Sequence, residues 1–150
     1  MEDAKKRYLK ALNKAADLLA RRNHSEKELR DKLIKFFEED LIDQVVAEAV
    51  ERRWLLPPEE LAESAARSWS RSLKSARYIQ EQLKKRGLPH VEWHEEEELE
   101  KMRALLKKKF RFDEDDLLQL DYETRTKAYR FLKYRGFTDG LIRKVIHEQF

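Results

Sequence analysis

Leu41-Ile42-Asp43-Gln44-Val45-Val46 returns 100 residues later as Leu141-Ile142-Arg143-Lys144-Val145-Ile146. Both hexamers place apolar residues at i, i+1, i+4 and i+5, the spacing of a helix rather than the alternation of a strand. The segments before them also align. Leu29 and Leu33, Ile79 and Leu83, and Ala128 and Leu132 share a four-residue spacing, at offsets of 50 and 49. Arg86-Gly87 and Arg135-Gly136 close the second and third copies at the same place. Helical segments recurring at a fixed period of this length mark a tandem array. One such unit is too small to bury much core, so neighbours must complete it. The predicted fold is therefore all-α: three short three-helix repeats over 1–56, 57–94 and 95–150, stacked into an elongated, curved array. The middle repeat is expected to have a shortened third helix. Where a helix should follow Gly87, the chain has Pro89-His90-Val91-Glu92-Trp93-His94.

Around this frame the spacing predicts a first helix over 4–22, with Leu9, Leu12, Ala16 and Leu19 on one face. Ser25 and Glu28 have the spacing of a capping box that opens a short helix carrying Leu29, Leu33 and Phe36. Leu41 to Val50 form a broad apolar stripe, suited to a helix packed on two neighbours. Pro58 suits the first turn of a helix, where its missing N–H costs nothing. Leu61, Ala65, Trp69 and Leu73 should be the buried side of that helix. Ser75 can cap the next one, which stops at Gly87. Glu95 to Glu98 open a helix over 95–110 that Lys107-Lys108-Lys109 close, each charge at the favourable dipole end. Asp113 to Asp116 read as an acidic loop or cap, and 122–135 and 139–149 as the last two helices.

Composition narrows the class. The 150 residues include three Gly and three Pro, against roughly ten and seven to eight at average usage. That scarcity argues against a β-sandwich or barrel. There is no cysteine, hence no disulfide framework, thiolate zinc site or cysteine nucleophile. No run of about 18 apolar residues occurs, and MEDAKKRYLK lacks the apolar stretch of a secretory signal. The expectation is a cytoplasmic, monomeric protein with no membrane partner. The net charge of +3 conceals segregation: +4 over 1–24, −3 over 25–56, +2 over 57–94, −4 over 95–121 and +4 over 122–150. A nucleic-acid binder is usually basic over most of its length. Alternating blocks suit a surface that engages a protein, a phosphate backbone, or both.

Three stretches resemble the RecX family of RecA regulators. The first is Arg22-Asn23-His24-Ser25-Glu26-Lys27-Glu28-Leu29-Arg30-Asp31-Lys32-Leu33. The second runs from Trp54-Leu55 through Ala62-Glu63-Ser64 to Ala76-Arg77-Tyr78-Ile79 and Leu83-Lys84-Lys85-Arg86-Gly87-Leu88. The third is Arg130-Phe131-Leu132-Lys133-Tyr134-Arg135-Gly136-Phe137 with Ile142-Arg143-Lys144-Val145-Ile146. The chain departs from the family pattern at Arg53-Trp54-Leu55-Leu56, at Leu73-Lys74-Ser75-Ala76 and at Tyr78. The resemblance implies three tandem three-helix repeats and a non-enzymatic modulator without cofactor. It further implies a partner, the RecA filament on single-stranded DNA, whose extension, ATP hydrolysis and strand exchange it would limit. Rival readings are a helical module that binds nucleic-acid backbone, and a protein adaptor.

No catalytic motif is present: no Gly-rich phosphate loop, no G-x-S-x-G, no HExxH. His90 and His94 are four apart but follow Pro89, so two incidental surface histidines are the expectation, and no metal site. Candidate partner- or DNA-binding residues are the cations at three- to four-residue intervals. They are Arg67, Arg71, Lys74 and Arg77 in the second repeat, and Arg130, Lys133, Tyr134 and Arg135 in the third. Such cations can neutralise phosphates or pair with a partner's carboxylates. A solvated helix face is the ordinary reading of any one of them. Trp69 is expected in the core. Trp93 fits no apolar stripe and either covers the truncated junction or makes an exposed contact.

Overall fold

In the computed structural model the described residues are 2–147, and all regular structure among them is helical. The order is α1 (Glu2–Arg21), α2 (Glu26–Leu33), α3 (Glu39–Glu51), α4 (Pro58–Arg71), α5 (Ala76–Lys85), α6 (Glu95–Phe110), α7 (Glu114–Leu118), α8 (Tyr122–Tyr134) and α9 (Asp139–Val145). Residues 88–94 form no helix, so the middle repeat lacks a third one. α9 stops at Val145, short of the predicted 149, and residues 148–149 lie outside the described ones. The chain divides into two compact units. One comprises the chain up to Ser64 together with Leu83–His90, the other Ala65–Gln82 together with the chain from Val91.

In the first unit α1, α2 and α3 pack on one another around Leu12, Leu29, Leu33, Ile42, Val45 and Val46. α3 sits on two neighbours, as its stripe predicts. Its edge residue Val50 stays half exposed. The buried face of α1 is Ala11, Leu12, Ala15 and Leu18, not the expected Leu9, Leu12, Ala16 and Leu19. Two alanines at 0% exposure let the neighbouring helices approach closely, which hydropathy alone undervalues. Leu9 is left in solvent. α2 is also shorter than its apolar spacing suggests. It ends at Leu33, the next three residues turn, and Phe37 rather than Phe36 enters the core.

The second unit has its core in α6, α8 and α9, with Met102, Leu106, Leu132, Ile142 and Ile146 fully buried and α7 contributing Leu117. Leu73, with φ +62, turns the chain between α4 and α5 and is only partly buried. Trp69 is likewise only half-buried, edge-on to Tyr78 at 6.3 Å.

Each unit contains one copy of the same joint. In the first, the Ser25 side chain caps α2 by accepting from the Glu28 N–H (3.1 Å) and donates to the Arg86 carbonyl at the end of α5. Lys27 Nζ donates to the Lys85 carbonyl (3.1 Å). These carbonyls are among the four that any helix end leaves unpaired, so the joint supplies their partners. Gly87, at φ +71, closes α5 in a Schellman turn, with Gly87 N–H to Lys84 and Leu88 N–H to Leu83. A Cβ there would lie 2.8 Å from Lys27 Cβ. In the second unit Ser75 caps α5 through the Tyr78 N–H (3.1 Å), and Gly136, at φ +95, ends α8 in the same turn. A Cβ on Gly136 would stand 2.9 Å from Ser75 Oγ.

Gly136→Ala therefore combines a left-handed backbone with a collision. The expected loss is about 2 kcal/mol or more, read from urea unfolding, whereas Gly140→Ala, with open space around it, should be close to neutral.

Candidate interaction surface

The two cation groups fall on different local structures. Arg67 and Arg71 are one turn apart on α4, and both are exposed. Lys74 lies in the turn after Leu73, its ammonium 5.1 Å from the Tyr78 ring centroid. Arg77 belongs to the first turn of α5 and pairs with Glu81 at 3.3 Å. The expected stripe is thus broken after Arg71, because the positive φ of Leu73 redirects the chain. On α8, Arg130, Lys133 and Tyr134 share one face, at i, i+3 and i+4. Tyr134 is 90% exposed. Arg135 turns away from that face, its guanidinium 5.1 Å from the Phe131 ring that Lys109 also approaches at 5.2 Å. Phe131 itself is edge-on to Phe110 at 5.7 Å. Among the described residues, Arg67, Arg71, Arg130 and Lys133 have no ion-pair partner. The meeting of Ser75 with Gly136 brings the turn that carries Lys74 beside the end of α8 that carries Arg135.

Within each unit a carboxylate holds helix ends together. Glu28 accepts from the Ser25 N–H (3.0 Å), Arg86 (2.8 Å) and Arg22 (3.1 Å). Burial acts to raise its pKa, but the Ser25 amide and the two guanidiniums prevail and bring it down to about 2. Nearby His24 is buried. Its Nδ1 faces the Arg22 carbonyl at 3.0 Å and its Nε2 the Lys32 ammonium at 2.9 Å. Lysine only donates, so Nε2 accepts and Nδ1–H donates, which makes the ring neutral. Burial lowers its pKa, and the Arg22 and Lys32 charges add to the effect.

In the second unit the corresponding carboxylate is Glu98. It is buried, accepts from the Ala76 N–H at the start of α5 (2.7 Å), and pairs with the buried Lys101 (2.7 Å). Read as one of four glutamates at a helix start, Glu98 looks like its neighbours. Its register with Met102 and Leu105, four and seven residues on, places it on the buried stripe, and that was the available signal. Asp139, at the start of α9, is held below the usual carboxylate range by the Tyr129 hydroxyl and then by Arg143.

Nothing in this arrangement resembles a reaction centre. His90 lies in the non-helical 88–94 stretch and His94 caps α6, so the i, i+4 geometry of a shared ligand pair does not form. Among the described residues no three metal-ligating side chains converge. Among them, too, no helix is long and apolar enough to cross a membrane.

The fold defines a small tandem-repeat protein of three-helix units with exposed cations on its surface. The model of the RecX first three-helix domain matches residues 11–48, and that of the RecX third three-helix domain matches 95–146. Together these cover more than half of the chain, which belongs to the RecX family, a regulatory rather than catalytic family that acts on RecA. The fold agrees with two solved structures. RecX from Lactobacillus salivarius superposes with a TM-score of 0.76 at 22% identity, over 94% of this chain and 95% of that one. A structure of the regulatory protein RecX gives 0.73 at 18% identity, over 95% of this chain and 72% of that one. No curated protein matches in sequence.

Two outcomes test the frame. Glu28 has its pKa lowered on folding, so its contribution is complete above pH 4.5 and disappears as pH falls toward 2, of order 3 kcal/mol in all. His24, also lowered, contributes fully above pH 6.5 and loses its contribution below it. Urea midpoints should thus fall in two stages on acidification, and Glu28→Gln should flatten the second. Separately, Glu98→Leu strands the Lys101 charge and should cost about 3–5 kcal/mol. Adding Lys101→Met should recover part of that, though not the orphaned Ala76 amide.

Proposed function

We propose that this protein binds the RecA filament on single-stranded DNA and limits its extension, ATP hydrolysis and strand exchange. It does so by occupancy, without a catalytic step or cofactor, as a monomer in the cytoplasm. The observation that carries this reading is the pairing of family membership with four exposed cations, Arg67, Arg71, Arg130 and Lys133, that the protein leaves without ion-pair partners. Cations already paired inside a protein must give up that partner to bind another, and these need not. Lys74, Arg77, Tyr134 and Arg135 complete the surface. Lys74 and Arg135 are set over aromatic rings, which leaves them able to reach a phosphate or carboxylate. Arginine suits either target, since its planar fork grips both in pairs of hydrogen bonds. Any DNA taken in the same contact is held by phosphate neutralisation alone, with no base reading.

The test compares Arg67→Glu/Arg71→Glu, Arg130→Glu/Lys133→Glu and the four-site combination. Filament binding and DNA-dependent ATP hydrolysis by RecA are measured with each, and melting temperature serves as the control. Either pair should weaken inhibition, and the combination more than either alone if both sites engage together. Melting should change little, because exposed charges contribute little to stability. Full inhibition by a well-folded four-site variant would remove these residues from the contact. Binding to bare single-stranded DNA equal to binding to the filament would favour a nucleic-acid module instead.

A further inference from the structure

Residues 88–94 stand where the repeat pattern calls for a helix, and they leave a cavity of about 210 Å³ within the second unit. Its walls are mainly apolar: Ala76, Phe137, Leu141 and Trp93, the last 44% exposed. Four polar side chains also line it; Thr138 stands at the start of α9, and the other three are already engaged. Gln80 donates to the Val91 carbonyl (2.7 Å) and accepts from the Val91 N–H (3.3 Å), which holds the segment in place. Glu98 is used by Ala76 and Lys101, and Arg77 by Glu81. An occupant would find shape and apolar contact here rather than hydrogen bonds. A nucleobase, with polar atoms around its edge, would leave them unpaired at a cost. The volume is also below that of ordinary small-molecule pockets, about 300–1,000 Å³.

Apart from Arg77 and Lys144, each paired with a glutamate, the charges around Trp93 are negative. Glu92, Glu95, Glu96 and Glu97 are all exposed, and of these Glu95 is met by Lys144. This field repels phosphate and attracts a cationic segment. We propose that the pocket docks one large apolar side chain carried on a Lys/Arg-rich segment of a protein partner, with Trp93 as the anchoring wall. Half-exposed tryptophans beside a well-formed pocket are typical centres of protein–protein binding energy. Of the residues of the proposed function Arg77 lines this pocket, where it is paired with Glu81; Arg67, Arg71, Arg130 and Lys133 do not line it, and the pocket does not depend on them.

The experiment titrates the isotope-labelled full chain with the peptide Lys-Arg-Lys-Phe-Lys-Arg-Lys and follows the Trp93 indole N–H and the Thr138 and Leu141 amides by NMR. Saturable shifts are expected, with a Kd of about 1 mM or tighter. The peptide with Ala for Phe should bind about tenfold more weakly, since it lacks the anchor. A peptide with Glu for every basic residue should give no shift. Trp93→Ala should abolish the response. Glu92→Lys/Glu96→Lys should weaken it at unchanged helix content, which separates loss of the site from loss of folding. Arg67→Glu/Arg71→Glu should keep it, so failure here and failure of the filament reading are distinguishable. Equal binding of the Ala peptide, the same shifts with oligothymidine, or no shift with the Phe peptide would overturn the proposal.

Discussion

The structure depends on a serine that serves two helices. Ser25 closes the start of its own helix and donates to the last carbonyl of a helix from the following repeat. Helix ends are the polar liabilities of an all-α protein, since four amides and four carbonyls at each go unpaired within the helix. Packing a helix C-terminus against a capped N-terminus resolves two ends at once. It also demands glycine, because the chain must turn left-handed while its backbone approaches another. Gly87 and Gly136 meet both demands, which accounts for two of the three glycines in the chain.

The two joints share geometry but differ in charge. In the first, Glu28 belongs to the capped helix and is shared by two arginines at a partly exposed site. In the second, Tyr78 stands at the position equivalent to Glu28, and the carboxylate comes from α6 instead. Glu98 is deeply buried and needs Lys101 as a buried counter-charge. The first arrangement tolerates water and titrates at low pH. The second is sensitive to the loss of either partner, because a lone buried charge is far costlier than a missing pair. Loss of the middle repeat's third helix and the arrival of α6 as a capping element are thus one change.

The periodicity made the helices and their repetition legible, because apolar spacing reports which side of a helix avoids water, and it marked the break in the middle repeat, though as a shortened third helix where none forms. It was less informative where size rather than hydropathy decides. Ala11 and Ala15 are buried because they are small. Phe36 and Phe37 exchange roles because α2 stops one turn early. For the eight candidate residues, seven cations and Tyr134, the grouping was only partly legible. Helix spacing carries Arg67 to Arg71 and Arg130 to Tyr134, then fails at Leu73 and at Arg135, where the backbone leaves helical geometry. Glu98 was hidden by its three glutamate neighbours.

The same joint is missing at two other helix ends of this chain. Continuing it would require an Arg-Gly turn at the end of α2 and a bare serine cap at the start of α8. Neither is available. Counting from the equivalent leucines Leu33, Leu83 and Leu132, the first repeat has Phe36-Phe37 where the others have Arg86-Gly87 and Arg135-Gly136. Position Thr124, equivalent to Ser25 and Ser75, lies inside α8, whose cap has moved back to Asp121. A head-to-tail contact that fits at every copy polymerises without limit. Here neither the end of α2 nor the start of α8 carries the fitting, so this contact forms only where Ser25 meets α5 and Ser75 meets α8 among the described residues.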